Sequence, residues 1–233
     1  MRVDVVFGLP KELTSVIIVV DVFRSSTTIV TALENGAEEI VPCASIDEAR
    51  KLKEKLGNKA LLVGERMGFK PEGFDFNISP RFMKPEVISG KKIVYCSTNL
   101  MKVVSHCLNA ETLLIGALTN SRAVAKYLNA IKPESVALVA CGLIPKNMIT
   151  VEDVIGAGAI VSKLEYDEAS DTALLARLAY ESRKWKDFVK EGFVANYLKK
   201  IGWGEDIEIC LMEDVSNVIP ILKDGVFKAL VVD

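Results

Sequence analysis

The sequence predicts an α/β protein with three layers, in which helices cover both faces of a largely parallel or mixed sheet. Short apolar runs rich in β-branched residues recur along the chain. They are continuous rather than alternating, as in strands that are covered on both faces. Segments with helical spacing lie between many of these runs. We therefore expect a single domain over residues 1–233, built as one unit or as two lobes.

The elements follow in order along the chain. The predicted strands are the apolar runs at 3–7, 16–20, 38–42, 60–63, 92–96, 112–115, 136–140, 207–211 and 226–231. The first helix begins near Ser26 and stops before Gly36, since glycine commonly follows the last helical residue. The second has Ser45 as its N-cap and Gly57 as its stop. Further helices are predicted at 99–108, 120–131, 152–165, 170–184 and 188–201.

The segment 64–91 fits neither pattern, because it has little periodicity and much glycine and proline. Connections of this length usually carry function or are disordered. Disordered segments are poor in aromatic residues, whereas this one contains Phe69, Phe74, Phe76 and Phe82. We expect an ordered loop over an active site, with Phe74 and Phe76 packed and Asp75 turned toward the cleft.

Composition excludes several classes of partner. Half of the residues are hydrophobic and 26% are charged, the net charge is −2, and no stripe of lysine and arginine predicts nucleic acid or an anionic membrane as a partner. We expect no signal peptide, and no apolar run reaches the length of a membrane span. The five cysteines lack a CxxC pair, so we expect reduced, mostly buried thiols in a cytoplasmic protein.

Residues 19–28, VVDVFRSSTT, place a carboxylate, an arginine and four hydroxyl residues after an apolar run. Asp21 is expected at the carboxyl-terminal edge of the sheet, where ligands collect in open α/β folds. Ser25, Ser26 and Thr27 lie at the start of the next helix. The free N–H groups of a helix start, together with Arg24, would bind phosphate. An alternative from this stretch alone is structural, with a serine capping the helix and Asp21 paired with Arg24.

Other predicted strands also lead to charged or hydroxyl residues. In chain order these are Glu65 and Arg66, Thr98 and Asn99, and, after a loop, Glu152 and Asp153. If the strand ends share one edge, then Asp21, Glu65 and Asp153 meet in one cleft. Carboxylate oxygens suit Mg²⁺, which also bridges to a substrate phosphate. The residues therefore predict a site for Mg²⁺ and phosphate.

Several sharper motifs are absent from the sequence. The Asp-x-Asp of haloacid-dehalogenase phosphatases fails at Phe23, and the Cys-x₅-Arg of cysteine phosphatases fails because Lys102 follows Cys96 at that spacing. There is no P-loop and no G-x-G-x-x-G after a strand. A histidine-dependent hydrolase would have to use His106, the only histidine.

Taken together, these stretches resemble the 2-phosphosulfolactate phosphatases of coenzyme M biosynthesis, the ComB family. The similarity lies in VVDVFRSSTTIVTALENGA at 19–37, GERMGFKPEGFDFNISP at 64–80, CGLIPKNMITVEDVIGAGAIV at 141–161, SDTALLA at 170–176 and IGWGEDIEIC at 201–210. It implies a Mg²⁺-dependent phosphatase that converts 2-phosphosulfolactate to sulfolactate and phosphate, with a small-molecule phosphoester as the partner.

The resemblance also implies roles for individual residues. The acidic metal-site roles fall to Asp21, Glu65, Glu152 and Asp153. Phosphate would be held by Arg24, Ser25, Ser26 and Thr27, with Thr98 and Asn99 as further substrate contacts. Arg66 would meet the carboxylate or sulfonate of the substrate, and Asp75 is a further candidate for metal binding or for the base.

The chain departs from the family pattern at two places. It reads STNLM at 97–101, where the family usually has Thr-Thr-Asn-Gly-Thr, and NISP at 77–80 in place of Gly-Asn-Ser-Pro. Both changes fall where substrate is expected. Two alternatives therefore stay open, a hydrolase of another 2-phospho-hydroxy acid and a non-catalytic protein that binds such a metabolite. A homodimer is also left open.

Overall fold

The computed structural model describes residues 1–232 of the chain. Within that part, ten strands form one sheet: β1 (Arg2–Phe7), β2 (Val16–Val20), β3 (Glu39–Pro42), β4 (Ala60–Gly64), β5 (Lys92–Cys96), β6 (Thr112–Gly116), β7 (Ser135–Ala140), β8 (Glu168–Ala169), β9 (Val218–Lys223) and β10 (Val226–Val231). The helices in the same residues are α1 (Ser25–Glu34), α2 (Ile46–Leu56), α3 (Pro85–Ile88), α4 (Leu100–His106), α5 (Ser121–Ile131), α6 (Val151–Val161), α7 (Asp171–Glu181), α8 (Trp185–Glu191), α9 (Phe193–Lys200) and α10 (Gly204–Cys210).

The sheet is mixed, with the strand order β4-β5-β3-β10-β9-β6-β2-β7-β1-β8. The strands β4, β5 and β3 pair in parallel at one end, and β6, β2, β7, β1 and β8 pair in parallel at the other. Between them lies the antiparallel hairpin of β9 and β10, which is antiparallel to both β3 and β6. The two parallel groups consequently run in opposite senses along the sheet.

Helices cover both faces of the sheet, which confirms the predicted three-layer α/β/α class. Successive side chains of a strand point to opposite faces. Ile18 and Val20 of β2 accordingly pack in one core with residues of α5 to α10, whereas Ile17 and Val19 pack in a second core with residues of α1 and α4. Because β2 is completely buried, its sequence is apolar at every position rather than alternating.

Two predicted elements are wrong and one strand was missed. The run 207–211 belongs to α10 and its end, because Ile207, Cys210 and Leu211 have helical spacing and share one core. The strand β9 is absent from the predicted strands, and its Pro220 pairs with Ala229 although proline is uncommon inside a sheet. The single helix at 188–201 is two helices, α8 and α9, separated at Gly192.

Two further predictions concern the class of protein. The five cysteines are buried and free in the described residues, as the sequence predicted. No helix within residues 1–232 has the length and apolar character that crossing a membrane requires.

Candidate active site

A cavity of about 390 Å³ lies where the chain leaves β2, β4 and β5. Its polar lining includes Asp21, Ser25, Glu65, Thr98 and Asn99. Most of the remaining lining is apolar and comes from the loop after β7 and from α9, with Leu143, Pro145, Phe193, Val194 and Leu198. A concave, mostly apolar site with a few convergent polar groups is typical of small-molecule pockets.

A shared edge of one parallel sheet does not explain why these residues meet, because β2 and β4 belong to groups that run in opposite senses. The contact depends on the loop 65–84, which folds back over the start of α1. Asn77 Oδ1 accepts a hydrogen bond from Arg24 Nη2 at 2.8 Å. The carbonyl of Ile78 accepts one from Thr28 Oγ1 at 3.1 Å. The loop thereby joins the two halves of the site.

Asp21 is the buried carboxylate that follows β2. Its backbone N–H donates to Ser26 Oγ at 2.9 Å, which holds the carboxylate at the start of α1. Burial raises the pKa of Asp21 well above its usual range, and the charges of Asp153 and Glu65 raise it further, against the Ser25 hydroxyl, which lowers it. A cation in the cavity would relieve this cost of carrying a negative charge.

Glu65 is the second carboxylate in the cavity, and backbone donors fix its position. Its Oε1 accepts from the N–H of Thr98 at 2.6 Å and its Oε2 accepts from the N–H of Gly68 at 2.9 Å. Each carboxylate oxygen has two lone pairs, so these bonds orient Glu65 and leave it able to bind a cation.

Asp153 and Glu152 stand behind the cavity rather than in its lining. Asp153 Oδ1 accepts from the N–H of Val22 at 2.7 Å, and Oδ2 accepts from the N–H of Gly142 at 2.8 Å. These bonds tie the ends of β2 and β7 to α6, while burial raises the pKa of Asp153 to about 6. Burial and the Asp153 charge raise the pKa of Glu152 to about 8, and Glu152 Oε2 is buried without a partner among the described residues.

The predicted phosphate-binding hydroxyls divide into two groups. Ser25 lines the cavity, whereas Ser26 Oγ and Thr27 Oγ1 are engaged with backbone groups, Thr27 donating to the carbonyl of Val22 at 3.2 Å. Within the described chain, the backbone N–H groups of Ser25 and Thr27 have no hydrogen-bond partner. The start of α1 therefore offers N–H donors and one hydroxyl to an anion.

Arg24 lines the cavity but is already paired. Its Nη1 donates to Asp206 Oδ2 at 2.7 Å, its Nη2 donates to Asn77, and its guanidinium lies 4.7 Å from the ring centroid of Trp203. Arg66 is turned away from the cavity lining, because its guanidinium donates to the carbonyl of Glu65 and to Cys96 Sγ. The two arginines thus have structural partners that the sequence did not reveal.

The prediction that Asp75 turns toward the cleft is wrong. Its Oδ2 accepts from the N–H of Leu62 at 2.7 Å and lies 3.7 Å from Lys53 Nζ. Asp75 does not line the cavity. Its neighbours Phe74 and Phe76 hold the loop, Phe74 buried and Phe76 half-buried. Because Phe74 packs in the core beside α2, the intervening carboxylate meets β4 and Lys53 instead of the cavity.

Two carboxylates, Asp21 and Glu65, are available to a cation in the cavity. No three side chains of His, Cys, Asp or Glu in residues 1–232 form a group that could hold a metal ion. Mg²⁺ commonly uses only one or two carboxylates, with waters and substrate phosphate completing its shell. Thr98 Oγ1, which lines the cavity, and the neighbouring Ser97 Oγ are buried and have no hydrogen-bond partner among the described residues. The residues present therefore fit Mg²⁺ bound together with a polar ligand.

Sequence reasoning missed the cavity residues Lys146, Phe193 and Tyr197. Lys146 lies within the segment 141–161, but a single loop lysine has no recognisable pattern. Phe193 and Tyr197 belong to α9, where their four-residue spacing is the usual spacing of a helix face. They line the cavity because of the way α9 packs, and the local sequence does not predict that packing.

The two departures from the family pattern differ in their relation to the cavity, because Ile78 lines it whereas Leu100 and Met101 do not. Leu100 and Met101 are buried in the core and are absent from the cavity lining. Asn77 bonds Arg24 and donates to the carbonyl of Gly68 at 2.9 Å. The change at 77–80 thus places an apolar side chain in the cavity lining, while Leu100 and Met101 of the other segment lie in the core.

The fold and the cavity together define a three-layer α/β/α protein with an acidic small-molecule site beside a helix start. A sequence profile of the family described as 2-phosphosulpholactate phosphatase matches residues 7–225. The chain is 34% identical to a probable 2-phosphosulfolactate phosphatase of Caldanaerobacter subterraneus subsp. tengcongensis, over 91% of this chain and 89% of that protein. It is 37% identical to one of Thermotoga petrophila, over 90% of each, and 33% identical to one of Clostridium perfringens strain SM101, over 99% and 97%. The chain belongs to the 2-phosphosulfolactate phosphatase family and is by that membership a phosphoric monoester hydrolase.

Proposed function

We propose that this chain hydrolyses 2-phosphosulfolactate to sulfolactate and phosphate, with Mg²⁺ as its required cation. The observation that carries the proposal is the cavity in which Asp21 and Glu65 lie beside the start of α1. The names of the relatives support the substrate. The proposal extends to a role in coenzyme M biosynthesis and to a cytoplasmic location.

In this proposal Asp21 and Glu65 hold Mg²⁺, which when bound neutralises phosphate charge and polarises the phosphorus–oxygen bonds. Glu152 and Asp153, which the sequence assigned to the metal, act behind them, since neither lines the cavity. Asp153 orients the backbone at Val22 beside Asp21. This smaller ligand set agrees with a cation that retains waters.

The chain's own donors would bind the phosphoryl group. The free N–H groups of Ser25 and Thr27 and the unpartnered hydroxyl of Thr98 suit the phosphoryl oxygens. Such donors are fixed before the reaction and stabilise the charge of the transition state. A water activated by the cation or by a carboxylate is the simplest nucleophile.

A second candidate is hydrolysis of a different 2-phospho-hydroxy acid at the same site. The altered segments at 77–80 and 97–101 favour this alternative, because Ile78, Thr98 and Asn99 line the cavity. A non-catalytic binding protein is a weaker alternative, since the buried position of Leu100 leaves the cavity open.

Phosphate release tests these alternatives directly. The purified chain is assayed with 2-phosphosulfolactate, 2-phospholactate and an alkyl phosphate, each with Mg²⁺ and with a chelator. We expect Mg²⁺-dependent release that is fastest with 2-phosphosulfolactate and absent in Asp21→Asn. Faster release from another acid would reassign the substrate. Thermal stabilisation by these acids without phosphate release would support the binding protein.

A further inference from the structure

Two cationic side chains, Arg24 and Lys146, line the cavity, and they differ in whether a carboxylate neutralises their charge. Arg24 is 1% exposed and forms an ion pair with Asp206, which is 0% exposed, so its charge is already compensated. Lys146 is exposed, and no carboxylate lies within ion-pair distance of its Nζ in the part of the chain that the structure describes. Lys146 is thus the cavity cation that is available to an anionic ligand.

Lys146 is carried by a short turn that is fastened at its base. The N–H of Leu143 donates to the carbonyl of Met148 at 2.8 Å, which closes the turn. The N–H of Ile144 donates to Asn99 Oδ1 at 3.1 Å, which ties the turn to another cavity residue. A turn held in this way presents its lysine at a defined place.

The side chains next to Lys146 in the cavity are aromatic and apolar, so they do not neutralise its charge. Its Nζ lies 5.0 Å from the ring centroid of Phe193, whose face attracts the ammonium group and keeps it over the cavity wall. Leu143 and Pro145 are its apolar neighbours in the lining.

We propose that Lys146 binds the anionic group of the substrate that lies farthest from the phosphate, the sulfonate of 2-phosphosulfolactate, and so determines specificity. This inference rests on the proposed function. The phosphate is assigned to Asp21, Glu65 and the start of α1, none of which is an ion-pair partner of Lys146. The sulfonate is one carbon beyond the phosphate-bearing carbon and needs a cation of its own, which Lys146 supplies.

Two esters that differ only at that group test the proposal. 2-Phosphosulfolactate and 2-phospholactate share the phosphate and the carboxylate, and a methyl group replaces the sulfomethyl group in the second. The readout is the ratio of kcat/KM for the two esters, measured in the full chain, in Lys146→Met and in Lys146→Arg. Lys51→Met on α2 is the control, because Lys51 is exposed and outside the cavity.

We expect Lys146→Met to lower the ratio by at least about tenfold, the scale of one charge-assisted contact, and Lys146→Arg to restore it to within about threefold. An unchanged ratio, or an equal loss on both esters, overturns the proposal, because Lys146 would then act on the phosphate or not at all.

The binding of sulfolactate and lactate, measured by calorimetry, separates this proposal from the proposed function. If the chain hydrolyses neither ester, the proposed function fails, and the role of Lys146 is still decided by affinity. A preference for sulfolactate that is lost in Lys146→Met upholds the specificity role. A preference that survives in that variant overturns it.

Discussion

Arg24 and Asp206 form an ion pair of 2.7 Å in which both side chains are buried. Asp206 also accepts from Ser79 Oγ and from Arg81 Nε, each at 2.7 Å. The start of α1, the long loop and the start of α10 are thus joined at one carboxylate. Breaking a buried pair is costly because the remaining charge has neither water nor partner.

Asp206→Asn should therefore destabilise the chain by about 3 kcal/mol or more, since it leaves the buried Arg24 without its counter-charge. Urea unfolding at neutral pH measures the loss. Glu205→Gln is the matched control on the same helix, because Glu205 pairs with Arg81 but is 80% exposed, and an exposed pair contributes less than about 1 kcal/mol. If both variants lose the same free energy of unfolding, the buried pair stabilises the fold no more than the exposed pair does.

The carboxyl ends of apolar runs were enough to predict Asp21 and Glu65 as neighbours, because strand ends carry ligand groups in open α/β folds. A shared position at strand ends does not by itself explain why the two residues meet. Residues 218–223 were not assigned to a strand, so the antiparallel hairpin that reverses the sheet was not seen. The meeting of the two ends depends on the loop over α1, and long-range hydrogen bonds such as Arg24–Asn77 leave no local pattern.

Asp75→Asn should change kcat/KM by less than about threefold, because its carboxylate bonds Leu62 and faces Lys53 rather than the cavity. The amide keeps an acceptor for the Leu62 N–H, so unfolding should be easier by only about 1 kcal/mol. Steady-state phosphate release and urea unfolding of the same preparation measure both effects. A hundredfold fall in kcat/KM with normal stability would show that Asp75 takes part in catalysis.

Glu152→Gln should make the chain more stable in alkaline buffer. Burial and the Asp153 charge raise the pKa of Glu152 from 4.5 to about 8, so the folded chain binds this proton more tightly than the unfolded chain. The stability of the native sequence then falls as the pH rises between those values. In Mg²⁺-free urea unfolding, we expect the variant to gain at least about 1 kcal/mol at pH 8.5 and nothing near pH 4.

The control for this pH series is Glu54→Gln on α2, because Glu54 is exposed to solvent. It should leave the pH dependence of unfolding as it is in the native sequence. A Glu152→Gln variant whose stability advantage is the same at every pH would show that the gain comes from packing rather than from the titration of this carboxyl.

Asp21→Asn should lower kcat/KM by at least about a hundredfold, because it removes a fixed charge from a water-poor site. Stability should not fall. Burial, Asp153 and Glu65 all raise the pKa of Asp21, so its charged form destabilises the folded chain in the absence of a cation. Above the usual range of an aspartate, stability is lost as the pH rises, and the asparagine variant escapes that loss. Urea unfolding with and without Mg²⁺ provides the second readout, since the native sequence should be stabilised by Mg²⁺ and the variant much less.

Asp153→Asn is the matched contrast to Asp21→Asn, because the same chemical change falls on a carboxylate that accepts from Val22, Gly142 and Thr150. Its new amide N–H group would face one of these donors, so we expect Asp153→Asn to be less stable than Asp21→Asn by about 1–3 kcal/mol. The two variants should therefore differ in stability while both reduce turnover. If Asp21→Asn instead keeps its activity and lowers the melting temperature sharply, Asp21 is a structural residue, and the cavity's acidic wall is not the catalytic site.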